Sequence, residues 1–493
     1  MNSTVASRRP AQSHLAESLL RYAPKAVESW RDVISPELII VSLIYLAWSY
    51  FALASSIWVR FFLLSYLIVR MKPDTIIPIA LTCAQVRLLL IPSVLGKGMD
   101  DPLADVYESL TGYEAYTFSL PPVLFMARAF FAYWERGHLI SSSKFPKKLF
   151  WLWWAGLPLV IAGALVAFQT GRGWTGGLRA YCVVGTCFYG MLMPALSPQG
   201  LRRLVAALAF LSLILFSTAC FTLVNTRLLF VLAPIAAAYG YFAIRGFEDR
   251  WRPLLGASLL ASSGYYCFFL GTITQKSIWL AALLCAIVAR PFATGKARSG
   301  APLRALCFAI TVACVLVFSY AIAMNVAERL ELAPGFFSKV QWKIVADRGP
   351  IWFGALKLIY EDPAIITVPN RPYVLQQLGM ERLWRVHTHN LELDCLREFG
   401  LVAGCIAIAV MLGFTAQMLR RFAGFGTTAA AVLTIALFSS VIVGGLTLPY
   451  MITDRQAEPM LIAAGTAFST MTLCRRRKQT TAAQFPGHVQ SAS

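Results

Sequence analysis

Apolar residues form long, nearly unbroken runs along most of this chain, and short polar or basic segments separate them. The runs cover about 37–55, 57–70, 74–95, 119–135, 149–168, 180–198, 204–224, 227–245, 254–271, 277–291, 305–324, 399–419, 427–446 and 457–473. Many are long enough to cross a hydrocarbon core as helices, and they lack the alternation of barrel strands. The pattern predicts an all-α, polytopic transmembrane helical bundle with about fourteen helices. The first two runs are short and adjacent, so a re-entrant hairpin and a total of about twelve helices is the alternative.

The composition supports the same class. The chain has 493 residues, of which 58% are hydrophobic and 14% charged, and its mean hydropathy is +0.62. A soluble protein has about 25% charged residues. Because the bilayer interior offers no water to backbone groups, a chain of this composition is expected to span it as helices.

The net charge of +20 changes the picture only through its positions. The basic residues do not gather on a soluble domain, so nucleic-acid binding is excluded as the first interpretation. Many lie in short loops, where they indicate the cytoplasmic side: Arg136, Lys144, Lys147, Lys148, Arg202, Arg203, Arg245, Arg250, Arg252, Arg290, Lys296, Arg298, Arg304, Arg420, Arg421, Arg475, Arg476, Arg477 and Lys478. Both termini are therefore expected inside. The predicted divisions are a cytoplasmic tail (1–36), helices one to eleven (37–324), a large extracytoplasmic loop (325–398), the last three helices (399–474) and a second tail (475–493).

The loop 325–398 is long enough to have a function of its own. Its apolar positions Ile351, Trp352, Ala355, Leu358 and Ile359 recur at helical spacing and predict a short amphipathic helix over about 349–361. Arg348 stands at the start of this helix, where the helix dipole disfavours a cation. A cation beside free backbone N–H groups would suit an anionic ligand. The alternative is a salt bridge from Arg348 to a nearby carboxylate.

Residues 387–404 carry the most concentrated candidate chemistry. His387 and His389 are followed by Asn390 and by several carboxylates, and the stretch runs directly into an apolar helix. Polar groups at a membrane edge are costly to keep and are usually functional. Three interpretations are open at this point. The histidines and carboxylates could bind a metal, one neutral histidine could act as a general base, or the side chains could only cap and hydrogen-bond the loop.

The order of these motifs resembles the O-antigen ligase and polymerase superfamily. The resemblance consists of an arginine, a tryptophan on a short helix, His-Asn-Leu, and Glu-x-Gly-Leu-x-x-Gly at the start of a membrane helix: Arg348, Trp352, His389, Asn390, Leu391, Glu398, Gly400, Leu401 and Gly404. The family is also similar in plan, since its members have one large periplasmic loop before the last few helices. A family stretch like Ser-Arg-x-x-Trp corresponds here to Thr274–Trp279, where Lys276 replaces the arginine. Lysine cannot reproduce the bidentate geometry of arginine.

The resemblance implies transfer of a glycan from a polyprenyl-diphosphate carrier to an acceptor hydroxyl, lipid A-core or another glycan, at the periplasmic face of the bacterial inner membrane. The leaving diphosphate needs cations, and the candidates are Arg348, Arg227 and Lys276. Snorkelling to the outer headgroups is the alternative role for Arg227 and Lys276. His389 is the expected general base. Asn390, Glu398, Trp352 and His387 are expected to position it or to contact substrate.

No metal and no cofactor are expected, because no obvious cluster of acidic metal ligands occurs beyond 387–394. Direct attack on the anomeric carbon would invert its configuration, so the expected enzyme is a metal-independent inverting transferase in contact with membrane lipids. Within the family, the alternative is an O-antigen or exopolysaccharide polymerase. Outside it, a transporter of polar lipids or polysaccharide would be expected to show two related halves and interrupted helices, and neither is found. A membrane scaffold would leave the His-Asn segment unexplained.

Overall fold

Helices make up every regular element in the described part of the chain. The computed structural model describes residues 113–136, 145–169, 175–193, 196–222, 228–246, 251–293, 390–422, 427–446 and 457–484, together with the single positions 40, 44, 66, 352, 355, 356, 360 and 451. We number its helices α1 (Tyr113–Arg136), α2 (Lys147–Gln169), α3 (Thr175–Leu192), α4 (Pro198–Thr222), α5 (Leu228–Gly246), α6 (Trp251–Tyr265), α7 (Ile273–Ala293), α8 (Leu391–Phe399), α9 (Leu401–Phe422), α10 (Thr428–Phe438) and α11 (Ala457–Gln484). Two π-helical segments, Tyr266–Leu270 and Ser439–Gly444, extend α6 and α10.

The described helices are those of a membrane protein. Four segments are long and apolar enough to cross a bilayer, namely Lys147–Leu165, Pro198–Phe221, Pro253–Leu270 and Leu401–Phe422. Three further apolar helices are shorter, Val123–Trp134, Leu229–Ile244 and Thr428–Gly444. The predicted all-α class is therefore confirmed for the part of the chain that the structure describes. The predicted spans 37–55, 57–70, 74–95 and 305–324 lie outside the described residues, as does most of the loop 325–398.

Contacts between elements show which helix ends lie together. Arg202 at the start of α4, Tyr239 in the second half of α5 and Thr428 at the start of α10 line one small cavity. At the other end of the bundle, the backbone N–H of Leu391 donates to the carbonyl of Gly445, just after α10 and its π-helical extension (2.7 Å). Short connections make α5, α6 and α7 run up and down in turn. The starts of α7, α8, α9 and α11 therefore share one end with the start of α3, and we call it the site end. The opposite end is the basic end.

Charge separates these two ends. The cations at the basic end are Lys147, Lys148, Arg202, Arg203, Arg290, Arg420 and Arg421. Every carboxylate whose side chain is described lies instead at the site end, on α8 or α11: Glu392, Asp394, Glu398 and Glu458. Exposed amphipathic aromatic residues mark both ends, with Trp134 and Trp151 at the basic end and Tyr265 at the site end. Such residues favour the two interfaces of a bilayer.

Small residues let the helices that support the site end pack closely. The backbone of α3 at Gly190 lies against the backbone of α11 at Ile462, and Gly465 of α11 lies against Cys187 of α3. In a membrane, where apolar contact alone gives no net attraction between helices, such close backbone approach is a main source of packing energy. On the other side of the bundle, α5 presents fully buried alanines to its neighbours, Ala236, Ala237 and Ala238. The first group fixes α3 against α11, and the second packs α5 against its neighbours.

Two of the approximate predicted spans differ from the described helices at a boundary. The run 180–198 was expected to be one helix, but α3 ends at Leu192 and α4 begins at Pro198. Ser197 caps α4 by accepting a hydrogen bond from the N–H of Gly200 (3.0 Å), and proline fits the first helical position. The last group of membrane helices was expected to begin at 399, but a separate helix, α8, ends there and α9 begins at Leu401.

Candidate functional site

The helix α8 begins at a side-chain cap supplied by Asn390. The Asn390 backbone is extended, and its Oδ1 accepts a hydrogen bond from the backbone N–H of Leu393 (2.8 Å). Asparagine is among the best N-caps because its short side chain reaches this otherwise unpaired donor. The bond from Leu391 to Gly445 then fixes the first turn to the end of the π-helical segment after α10. Asn390 therefore has a structural role whatever else it does.

The turn from α8 into α9 needs both glycines of the Glu-x-Gly-Leu-x-x-Gly string. Gly400 has φ 78° and ψ 167°, a conformation that is essentially restricted to glycine. A Cβ at Gly404 would lie 2.7 Å from the carbonyl oxygen of Cys395, so α8 and α9 touch through their backbones. Phe399 closes the turn, because its buried ring packs edge-on against Tyr181 of α3 with the ring centroids 5.3 Å apart. The string thus encodes a tight helix hairpin.

Carboxylates cluster on α8 itself. Asp394 is fully buried, whereas Glu392 and Glu398 are half-buried. Oε2 of Glu392 is buried and has no hydrogen-bond partner among the described residues. Burial raises the pKa of Glu392, and a hydrogen bond from its own backbone N–H partly opposes this. An acidic side chain kept away from water can hold or release a proton nearer to neutral pH than an exposed one.

The start of α7 supplies a cation at the same end of the bundle. Thr272 and Gln275 form a reciprocal capping box: the N–H of Thr272 donates to Gln275 Oε1 (2.8 Å), and the N–H of Gln275 donates to Thr272 Oγ1 (3.3 Å). Lys276 follows directly and is half-buried. Trp279, the last residue of the Ser-Arg-x-x-Trp-like stretch, is buried and donates to Ser263 of α6 (3.0 Å). Lys276 is therefore the part of this stretch that the local fold does not use.

Both π-helical segments lie beside the start of α7. Tyr266–Leu270 precedes it by a two-residue turn, and Ser439–Gly444 packs against α7. A π-helical turn shifts the backbone hydrogen-bond register and often occurs at functional sites. Here the second segment touches both α7 and, through Gly445, α8. It therefore lies between α7, the helix that carries Lys276, and the acidic helix α8.

The predicted site residues divide into two groups. Asn390, Glu398 and Lys276 lie at the site end, and Trp352 has helical backbone and is half-buried. The other four lie outside the described residues: His387, His389, Arg348 and Arg227. His389 directly precedes the cap residue Asn390 in the sequence, and Arg227 directly precedes α5. Convergence of His389 and Arg348 stays a prediction.

The metal interpretation is likewise untested. Within the described ranges, no three histidine, cysteine or acidic side chains are placed to hold a metal ion. Both histidines of the predicted cluster lie outside those ranges.

Sequence reasoning missed one charged pair at the site end. Nη2 of Arg179, in α3, lies 3.7 Å from Oε1 of Glu458, in the first turn of α11. The missed signal was a lone arginine at the edge of an apolar run, because the predicted span began one residue later, at 180. A charged residue so close to a membrane helix is a functional candidate by default.

Comparison with known proteins does not identify a family. No family model, no curated protein and no solved structure matches the chain. The membrane-protein class therefore rests on the helices described above, and the resemblance to glycan transferases rests on the motif residues.

Proposed function

We propose that the chain is a glycan transferase of the O-antigen ligase type, acting on a polyprenyl-diphosphate-linked donor at the site end of the bundle. The observation that carries the proposal is the α8–α9 hairpin. It brings Asn390, which directly follows His389 in the sequence, and three carboxylates to the end of the bundle where Lys276 also lies, away from nearly all the other described cations.

The charge asymmetry supports the sidedness of the proposal. Short basic segments stay in the cytoplasm, so the basic end is assigned to the cytoplasm and the site end to the periplasm of a bacterial inner membrane. The segment after α11, which runs toward the basic end, is then cytoplasmic, and the same side is proposed for the N-terminus. A carrier lipid presents its diphosphate at the same interface, with its hydrocarbon tail between or beside the exposed apolar helix faces.

In the proposed reaction, an acceptor hydroxyl attacks the anomeric carbon of the carrier-linked sugar. The bond from that carbon to the diphosphate oxygen breaks as the new glycosidic bond forms, with inversion, and polyprenyl diphosphate leaves. His389 accepts the proton of the attacking hydroxyl. Arg348, Lys276 and Arg227 stabilise the charge on the leaving diphosphate.

The fold assigns different supporting tasks to the α8 residues. Asn390 sets where α8 begins, and the adjacent His389 is proposed to lie beside it at the site end. Glu398, in the last turn, is proposed to orient the imidazole or the acceptor, whereas Trp352 and His387 are proposed to contact substrate. Oδ1 of Asn390 accepts the hydrogen bond of the cap, so any contact of Asn390 with substrate is proposed as a second role.

The main test is transfer in cells that lack the chromosomal copy and carry single variants. We expect His389→Ala to reduce transfer by about 10²- to 10⁴-fold at normal protein level, the usual contribution of a general base. The matched control is His138→Ala, since His138 lies in the link between α1 and α2. Full transfer by His389→Ala would make the base assignment wrong.

Two further measurements separate the alternatives. Arg348→Ala should abolish transfer, and Arg348→Lys should restore it only in part, because lysine lacks the bidentate fork. Full activity in excess chelator supports a metal-independent reaction, whereas a loss reversed by a divalent ion supports the metal interpretation.

The lipids that accumulate in the deletion strain distinguish ligase from polymerase. A long glycan left on its carrier indicates a ligase. Single repeat units on the carrier indicate a polymerase, and an unchanged pool of carrier-linked glycans at the periplasmic face contradicts both.

A further inference from the structure

Arg179 and Glu458 form an ion pair inside the bundle that no sequence motif includes. Their side chains are only 16% and 10% exposed, and Nη2 of Arg179 lies 3.7 Å from Oε1 of Glu458. The pair joins the second turn of α3 to the first turn of α11 at the site end. Charges removed from water need close partners to offset the cost of desolvation. This pair does not meet that need fully.

One edge of the Arg179 guanidinium has no hydrogen-bonded acceptor. Nε and Nη2 hold parallel N–H bonds on the same edge of the planar group, and both atoms are buried without a hydrogen-bond partner in the described part of the chain. The separation of 3.7 Å is longer than a hydrogen bond. Glu458 therefore balances the charge of Arg179 but accepts no hydrogen bond from Nε or Nη2. Buried N–H donors without an acceptor lower stability.

The open edge has the geometry that suits a phosphate group. Two parallel N–H bonds on one edge match two oxygens of a phosphate or diphosphate, which arginine binds in a bidentate manner. A neutral ligand would not compensate the guanidinium charge once Glu458 moved aside. A metal cation would be repelled by it. The chemistry of the edge therefore favours an anion with adjacent oxygens.

We propose that Arg179 is a binding site for the phosphate of a lipid headgroup, and that Glu458 holds the guanidinium in place until the phosphate displaces it. Two residues further along α3, Tyr181 packs against Phe399 of α8, so the same helix contacts both Arg179's partner and the acidic helix. The phosphate chemistry stands on the geometry of the ion pair alone. Identifying the lipid as the carrier diphosphate rests on the proposed function.

A purely structural clamp between α3 and α11 is the competing explanation, and Glu458→Gln separates the two. If Arg179 binds phosphate, removing the competing carboxylate leaves the guanidinium free for the ligand, and binding becomes tighter. If the pair is only a clamp, Glu458→Gln and Arg179→Gln both lower stability, and neither changes phosphate binding.

The experiment measures binding of long-chain polyprenyl diphosphate to the purified full-length protein in detergent, by direct titration and by thermal stabilisation. We expect Arg179→Gln to weaken binding by about 10-fold or more, the size expected for a charged hydrogen bond. Glu458→Gln should bind several-fold more tightly than the native chain. The control Arg202→Gln removes an exposed cation at the basic end and should bind like the native chain.

Equal affinity of all four proteins, parallel weakening by both Arg179→Gln and Glu458→Gln, or no binding to the native chain would each overturn the proposal. If Arg179→Gln does not fold, the comparison of native protein with Glu458→Gln still decides, and the double variant Arg179→Gln/Glu458→Gln avoids an unpaired buried charge.

Polyprenyl monophosphate and phosphatidylglycerol serve as the other ligands. If all three lipids bind equally well and the binding depends on Arg179, the phosphate site is supported and specificity for the carrier is contradicted. If polyprenyl diphosphate binds most tightly, both the phosphate site and the carrier specificity are supported. Failure of the transfer assays together with Arg179-dependent phosphate binding would reject the proposed function and keep this site.

Discussion

Two short stretches at the site end, 271–279 and 390–404, contain the motif-like residues, and the fold uses them to different extents. In 271–279, the capping box of Thr272 and Gln275 and the buried Trp279 are all explained by local structure, and only Lys276 is not. In 390–404, the cap and the hairpin turn are explained in the same way, whereas the buried Oε2 of Glu392 takes part in neither.

This difference separates residues that build the site from residues that are available for chemistry. A motif that looks catalytic as a string contains mostly caps, turns and packing residues once its contacts are known. Lys276 and Glu392 are described members whose side chains take no part in these caps, turns and packing contacts. Substituting them should change activity or pH dependence. Substituting the caps, turns and packing residues, which we call the structural residues, should instead change the amount of folded protein.

Among the structural residues, substitution of Gly404 should cause the largest loss of stability. Gly404→Val places a branched side chain where even a Cβ would lie 2.7 Å from the Cys395 carbonyl oxygen and the Leu396 Cα, both backbone atoms that cannot move aside. We expect the free energy of unfolding to fall by about 3 kcal/mol, the upper part of the range for overpacking. Thermal unfolding of the purified protein measures it.

Gly264→Ala is the matched control for this glycine. A Cβ at Gly264 meets its nearest atom, on the Trp279 side chain, at an ordinary 3.4 Å. Replacing glycine inside a helix where space allows is expected to stabilise by about 0.4–1 kcal/mol. Tolerance of valine at 404 would show that the α8–α9 contact is not what holds the hairpin.

Lys276 should behave in the opposite way to Gly404. Because its side chain is not part of the capping box, Lys276→Ala is expected to leave the unfolding temperature unchanged and to lower transfer by about 100-fold, the usual effect of losing one group that stabilises developing charge. Lys276→Arg should keep or raise transfer. Lys148→Ala, an exposed lysine at the basic end, is the control. A fall in stability without a fall in transfer would show that Lys276 is a structural residue.

The sequence alone was sufficient for the helical membrane class because hydropathy acts over whole segments. It placed most described helices within a few residues, for instance 228–246 against an expected 227–245. It failed where single side chains decide the boundary, as at Ser197 and Pro198 before α4, and at Gly400 between α8 and α9.

The site was predictable only in part, for a related reason. The residues of α8 could be recognised because they adjoin one another in the chain. The Arg179–Glu458 pair could not, since it joins positions far apart whose proximity depends on the packing of α3 against α11. Likewise, no pattern in the string assigns Asn390 to a cap rather than to substrate, whereas its contact with Leu393 does.

Substitutions of Asn390 test whether one residue can have both a structural role and a role in transfer. Asn390→Ala removes the acceptor for the Leu393 N–H and should cost about 1 kcal/mol, the usual value of an N-cap. Asn390→Asp keeps the acceptor and adds a charge that the helix N-terminus favours, so its stability should match the native chain. Transfer by the Asp variant then decides, since a loss at full stability assigns the carboxamide N–H groups to substrate or to His389.

The cap of α10 offers the matched control for Asn390. Thr427 Oγ1 accepts a hydrogen bond from the N–H of Ala430 (3.2 Å) at the basic end of the bundle. Thr427→Ala should cost a similar stability, with unchanged transfer per folded molecule. If Thr427→Ala and Asn390→Ala lower transfer per folded molecule equally, the loss reflects a general loss of stability in the bundle. Asn390 then has only a structural role.

Glu392 gives the smallest and most specific effect, a change in how stability depends on pH. Burial raises its pKa above the ordinary value of 4.5, so the folded state binds the proton more tightly than the unfolded state does. The free energy of unfolding should therefore fall as pH rises from about 4.5 through the raised pKa. The glutamine of Glu392→Gln is neutral at every pH in this range. The unfolding temperature of this variant should therefore exceed that of the native chain at pH 8 and converge with it below about pH 4. Parallel curves between pH 4 and 8 would show that Glu392 is solvated in the folded protein. Its lack of a hydrogen-bond partner would then say nothing about proton transfer at the site end.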